Sequence, residues 1–244
     1  MQEPLLLAIE TATLAGSVAV LRGEKVLAAQ VLPCDRPASE TLLPTLLAVM
    51  GDAQLALDAL DGFAVSIGPG SFTGLRVGVS TAKGLAFGTS QRIVPVATLG
   101  ALALQADAAA VPVAALLDAR RGEVYAALYD GMPTATPLLG PCVMTPEALA
   151  ERLAEVAGPR VGIAIGDGVA PAAEALRARL GQRVVLRPVA PDAAAVGRLG
   201  QRLWSAAGGV SPEQLVPLYV RRAEAEVRRT GERFEPFDTP EKVS

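Results

Sequence analysis

The sequence predicts an α/β protein made of two similar lobes, each a mixed sheet flanked by helices. Three observations carry this reading: a weak internal duplication, the same order of strand-like and helix-like patterns in each copy, and an unusual composition. Apolar residues make up 51% of the chain and aromatics only 4%, so the core is built mainly from Ala, Leu and Val. The 244 residues correspond to roughly 1.6 domains at about 150 residues each. The chain therefore divides into an N-terminal lobe over residues 1–108, a C-terminal lobe over 109–210, and a C-terminal segment and charged tail over 211–244.

The first copy opens with the apolar run Leu5-Leu6-Leu7-Ala8-Ile9-Glu10, a polar turn over 11–16, and the strand-like Ser17-Val18-Ala19-Val20-Leu21. The second opens with Val113-Ala114-Ala115-Leu116-Leu117-Asp118, a turn over 119–122, and Val124-Tyr125-Ala126-Ala127-Leu128-Tyr129. Each pair of runs reads as a β-hairpin whose first strand ends in a carboxylate. Pro33-Cys34 then precedes a helical pattern (Leu42, Leu43, Leu46, Leu47, Met50), and Pro141-Cys142 precedes another (Ala148, Leu149, Leu153, Val156). Short buried strands end in Ile67-Gly68-Pro69-Gly70 and in Ile165-Gly166-Asp167-Gly168. Helices follow over 72–87 and 170–180, and a further amphipathic helix spans 193–207. Two such lobes leave a cleft between them. From Arg221 to Ser244 the chain carries 6 basic and 6 acidic residues, a composition expected of a mobile tail.

Several chemistries are excluded. The chain has no histidine, so it cannot form a Ser-His-Asp triad, a Cys-His pair or a histidine zinc site. Its two cysteines, Cys34 and Cys142, form no C-x-x-C pattern, which points to a reducing cytoplasm and no metal centre. Glu3 stands where a signal peptide would carry a basic residue, and the apolar stretch 99–117 is broken by Gln105, Asp107 and Pro112, so neither secretion nor membrane insertion is expected. A net charge of −3 offers no global attraction for nucleic acid.

Four segments are candidates for function. Glu10, Thr11, Thr13 and Ser17 could surround a phosphate and its Mg²⁺, or form an ordinary polar turn. Gly68-Pro69-Gly70-Ser71-Phe72-Thr73-Gly74-Leu75-Arg76 joins a strand to a helix start, where Gly70 and Ser71 suit an anion or simply cap the helix. It is not a Walker A motif. In the helix that follows, Gly74, Gly78 and Thr81 share a face, with Gly84 and Gly88 on a neighbouring one. Such glycines serve either close packing on the chain's own sheet or a helix-to-helix subunit interface, which residues 40–50 would extend. On the interface reading, a bulky residue at Gly78 or Thr81 blocks association and leaves the fold intact. Finally, Asp118-Ala119-Arg120-Arg121-Gly122-Glu123-Val124-Tyr125 is a polar turn in which Asp118 either faces the cleft or joins a local salt bridge.

Together, Leu7-Ala8-Ile9-Glu10-Thr11-Ala12-Thr13, the segment from Gly68 to Arg76, the segment from Asp118 to Tyr125, and Pro217-Leu218-Tyr219-Val220-Arg221 resemble the TsaB (YeaZ) family over about residues 5–222. The resemblance implies two duplicated actin/Hsp70/sugar-kinase-like (ASKHA, RNase H-like) lobes. It also implies a non-catalytic, activating subunit of the tRNA threonylcarbamoyladenosine machinery. The related subunit TsaD there modifies adenosine 37 of ANN-decoding tRNAs with a histidine-held metal, for which this chain has only Ser39-Glu40 in the corresponding region. By resemblance the partner-binding residues are Glu40, Leu43, Leu47, Phe72, Gly74, Leu75, Gly78, Thr81, Ala82 and Leu85. The partners would be TsaD as a heterodimer and the ATPase TsaE, with tRNA reached through the complex and a homodimer when the chain is alone. No intrinsic cofactor is implied, and ATP with Mg²⁺ acts at the level of the complex. Glu10 departs from the Asp of many members. The alternative is an ATP-dependent phosphotransferase or ATPase, with Glu10 and Asp118 facing a Mg-nucleotide.

Overall fold

A computed structural model describes residues 3–108, 110–131, 137–160 and 162–221; the charged tail beyond Arg221 lies outside the described residues. The first half contains β1 (Leu5–Glu10), β2 (Ser17–Arg22), β3 (Lys25–Val31), α1 (Ala38–Asp52), β4 (Gly62–Gly68), α2 (Phe72–Ala86), β5 (Arg92–Ala97) and α3 (Thr98–Leu104). The second repeats the order with β6 (Pro112–Asp118), β7 (Val124–Asp130), β8 (Leu139–Met144), α4 (Pro146–Ala157), β9 (Gly162–Ile165), α5 (Val169–Leu180), β10 (Val184–Arg187) and α6 (Ala193–Ala207).

The two five-stranded sheets have orders β3-β2-β1-β4-β5 and β8-β7-β6-β9-β10. In each, the first three strands are antiparallel and the last two join in parallel. Helical crossovers make the parallel joins, as a parallel pair requires. This shared topology is the duplicated RNase H-like lobe of the ASKHA fold. The central strands β1 and β6 are buried along almost their whole length, which explains why they read as continuous apolar runs rather than alternating ones.

Helices α1 and α2 cover one face of the first sheet, and α4 and α5 one face of the second. The other faces are covered by an exchange between the halves. By sequence α6 falls within 109–210, yet it packs on β1, β2 and β4, where Val196 and Leu199 meet Leu6, Ala8, Leu21 and Ala64. Conversely, α3 from the first half places Leu99, Leu102 and Ala103 against Val113, Ala115 and Tyr129 of the second sheet. The sequence TLGALAL of α3 is buried over Thr98–Ala103, so it shows no amphipathic period by which to be recognised. The two Pro-Cys pairs are not equivalent: Cys34 lies exposed in the turn after β3, whereas Cys142 is inside β8.

Candidate functional site

The carboxylate at the end of β1 is the centre of the site. Glu10 is fully buried. Its Oε1 accepts from the Ala12 N–H (2.6 Å) and from Ser66 Oγ (3.4 Å), while Ser66 Oγ in turn accepts from the Thr11 N–H (3.4 Å). Burial pushes the Glu10 carboxyl up to about 8, outweighing the hydrogen bonds from Ala12 and Ser66 that lower it; Asp167 across the lobes adds to the rise. At neutral pH this group is mostly uncharged. Glu10 Oε2, Thr11 Oγ1 and Thr13 Oγ1 are buried with no hydrogen-bond partner among the described residues.

The remaining anion candidates are engaged within the chain. Ser17 Oγ accepts from the N–H of Ala193 (2.9 Å), satisfying a donor at the start of α6. Ser71 caps α2 by accepting from the Gly74 N–H (3.2 Å), and its own N–H donates to Ala12 O (2.7 Å). The loop from Gly68 to Ser71 therefore lies directly on the β1–β2 turn, with Gly70 so close to Ala12 that a side chain would strike it. Gly68 has φ of +125° and abuts the carbonyl of Leu218, an approach only glycine permits. Its counterpart Gly166, with φ of +127°, abuts Leu116 O in the second lobe. Asp118 Oδ1 accepts from the Arg120 N–H (2.7 Å), and Oδ2 pairs with Arg120 Nη1 (3.0 Å). The Asp118 N–H donates to Asp167 Oδ1 (3.0 Å).

Ser17, Ser71 and Asp118 are thus engaged within the chain, whereas Glu10 Oε2, Thr11 Oγ1 and Thr13 Oγ1 are not. Among the described residues no cluster of three or more His, Cys, Asp or Glu side chains could hold a metal ion. Ser17→Ala is expected to lower stability by about 1 kcal/mol through the lost α6 contact. Chemical denaturation would detect that loss.

The residues assigned to partner binding separate into two sets. Gly74, Leu75, Gly78 and Ala82 are buried within the chain's own core, so they do not present a surface. Gly74 meets the Thr11 backbone and Gly78 the Thr11 hydroxyl. The outward set comprises Glu40, Leu43 (49% exposed) and Leu47 (54% exposed) on α1, with Phe72, Thr81 and Leu85 half-buried on α2. Two further positions on or next to α2 are open. Phe87 at the end of α2 is 77% exposed, and Gly84 has open space where a side chain would point. An interior helical glycine costs roughly 0.5–1 kcal/mol; of the helical glycines the sequence offered for an interface, Gly84 is the one that no internal contact requires. Ser66 and Asp167 were also missed as site residues, because only the sheet pairing brings them to Glu10 and Asp118.

The fold and site define a two-lobed ASKHA-type protein in which the Gly68–Ser71 loop packs on the β1–β2 turn and α1 and α2 carry exposed apolar side chains. Residues 31–184 match the family model described as TsaD, tRNA N6-adenosine threonylcarbamoyltransferase. The Haemophilus influenzae tRNA threonylcarbamoyladenosine biosynthesis protein TsaB is 41% identical over 51% of this chain and 53% of its own length, so the match spans about half of that relative. The Escherichia coli protein of the same description is 35% identical over 66% of this chain and 71% of its own. The solved structure of YeaZ from Pseudomonas aeruginosa is 32% identical, with a TM-score of 0.70, and covers 88% of this chain and 99% of its own. The chain belongs to the TsaB family, within the wider family described by the TsaD model. Among the described residues no helix is long and apolar enough to cross a membrane.

Proposed function

We propose that this chain is a non-catalytic scaffold subunit in tRNA threonylcarbamoyladenosine formation, working in the cytoplasm and activating TsaD by pairing through α1 and α2. The observation that carries the reading is the exposure of Leu43 and Leu47 on α1 and of Phe87 at the end of α2, with open space at Gly84. In the same lobe, Ser17 and Ser71 near the β1–β2 turn serve the chain itself. An exposed apolar patch framed by polar residues is a docking surface for protein, and the open side of Gly84 lets a partner helix approach closely. TsaE would complete the assembly, tRNA would be reached through TsaD, and any ATP requirement would rest with another subunit.

The direct test is threonine incorporation into unmodified tRNA by TsaD, TsaE and a source of threonylcarbamoyl-AMP, with and without this chain. Strict dependence on the chain is the expected result; full activity in its absence would overturn the reading. Gly84→Trp is expected to weaken pairing with TsaD by about 30-fold or more, the scale of an interface hot spot. The variant's melting temperature should stay at or above that of the parent, because no contact within the chain is lost. Calorimetric titration with purified TsaD would measure this.

A further inference from the structure

The segment after α6 crosses both lobes and is fastened to a different element every few residues. Val210 exchanges two backbone hydrogen bonds with Ile93 on the edge strand β5 (2.8 and 3.0 Å), and Leu215 is buried in the core beneath α1 and α2. The Leu218 N–H donates to Ile67 O near the end of β4 (2.7 Å). Tyr219 stacks on Phe72 with ring centroids 4.9 Å apart, and its hydroxyl accepts from Arg76 Nε (3.3 Å). The Arg76 guanidinium lies 4.0 Å from the centre of the Phe72 ring. Val220 is buried in the second lobe. Arg221 then donates from Nη1 to Ala119 O (2.9 Å) and pairs through Nη2 with Glu123, both side chains largely shielded from solvent.

We propose that residues 217–221 form a strap that holds the first turn of α2 in the position from which the helix docks its partner, with Tyr219 and Arg221 as positioning residues. This rests on the reading of α2 as a docking helix. The inner side of that turn is fixed by Gly74 against Thr11. Its outer side, Phe72 and Arg76 one turn apart, is held by the Tyr219 ring and hydroxyl. Aromatic stacking, a cation over a ring and a hydrogen bond are each modest at a partly exposed position. Three acting on one helical turn shift its local opening by about tenfold or more. The Arg221 pair ties the far end of the strap to the β6–β7 turn, so the second lobe supports a docking surface that lies entirely on the first.

Hydrogen exchange on the full chain tests the strap without any partner. Tyr219→Ala, and the paired variant Arg221→Met with Glu123→Gln, should raise exchange of the amides at 74–77 about tenfold while the strand amides of β1 and β6 keep their protection. Tyr219→Phe retains the ring and the fold and should give a smaller increase. In calorimetry the same variants should bind TsaD more weakly in the order of their exchange. Unchanged exchange at 74–77 in Tyr219→Ala and Tyr219→Phe would overturn the proposal, as would increased exchange with parental affinity for TsaD. If the parent chain itself fails to bind TsaD, the docking assignment falls, while the exchange data still decide whether the strap holds α2.

Discussion

Gly74→Ala is expected to destabilise the protein by about 3 kcal/mol or more, near or above the upper end of ordinary overpacking. A Cβ at that position points into the carbonyl oxygen of Thr11, which is backbone and cannot swing aside. Thr11 directly follows β1, and its N–H donates to Ser66 Oγ. Gly78 faces the Thr11 hydroxyl and should respond in the same direction, so a bulky residue there unfolds the protein instead of selectively blocking association. Gly84→Ala supplies the internal control: nothing lies within reach of its Cβ, and replacing a helical glycine should raise stability by roughly 0.5–1 kcal/mol. Urea denaturation of the three variants separates the glycines that pack the core from the one that opens the surface. Equal effects at all three positions would contradict that division.

The second large effect is a dependence of stability on pH that Glu10→Gln should remove. The folded carboxyl is raised to about 8 from an ordinary value of 4.5 by burial. Below pH 4.5 the group is protonated in both states and costs nothing. Between 4.5 and 8 the folded state retains a proton that the unfolded state has released, so stability falls as pH rises. Above pH 8 the loss levels off at roughly 5 kcal/mol, taking 1.36 kcal/mol per unit of difference. The glutamine variant keeps an oxygen to accept the Ala12 N–H and carries no ionisable proton. Its stability should match the parent near pH 4.5 and exceed it by several kcal/mol at pH 9. Denaturation curves of both proteins at pH 4.5, 7 and 9 measure the difference, and parallel pH profiles would mean that Glu10 is ionised in the folded protein.

Much of the architecture is legible in the chain itself. The paired hairpins at 5–21 and 113–129, the helices near 40–50, 72–87, 170–180 and 193–207, and the repeat relating the halves all follow from local patterns of apolar residues and glycine. Those patterns reflect burial of one stripe or one strand at a time. The edge strands β3, β5, β8 and β10 and the helix α3 were not read, because their identity depends on neighbours. Buried almost all round, α3 has no polar face by which to be recognised.

The site divides along the same line. Composition and spacing nominated Glu10, the Gly68–Ser71 loop, Asp118 and the glycines of α2, since these residue types are unusual where they stand. Sequence could not tell which way a glycine faces, and four of the ten proposed partner residues lie in the core. Nor could it show that Ser17 caps a helix 176 positions away, that α3 and α6 exchange lobes, or that Tyr219 and Arg221 fasten α2 to the second lobe. What the sequence determined alone was the kind of element and the inventory of reactive groups, both fixed by short-range sterics and side-chain chemistry. The tertiary structure decided which groups remain available, because hydrogen bonds and van der Waals contacts depend on proximity in space rather than along the chain.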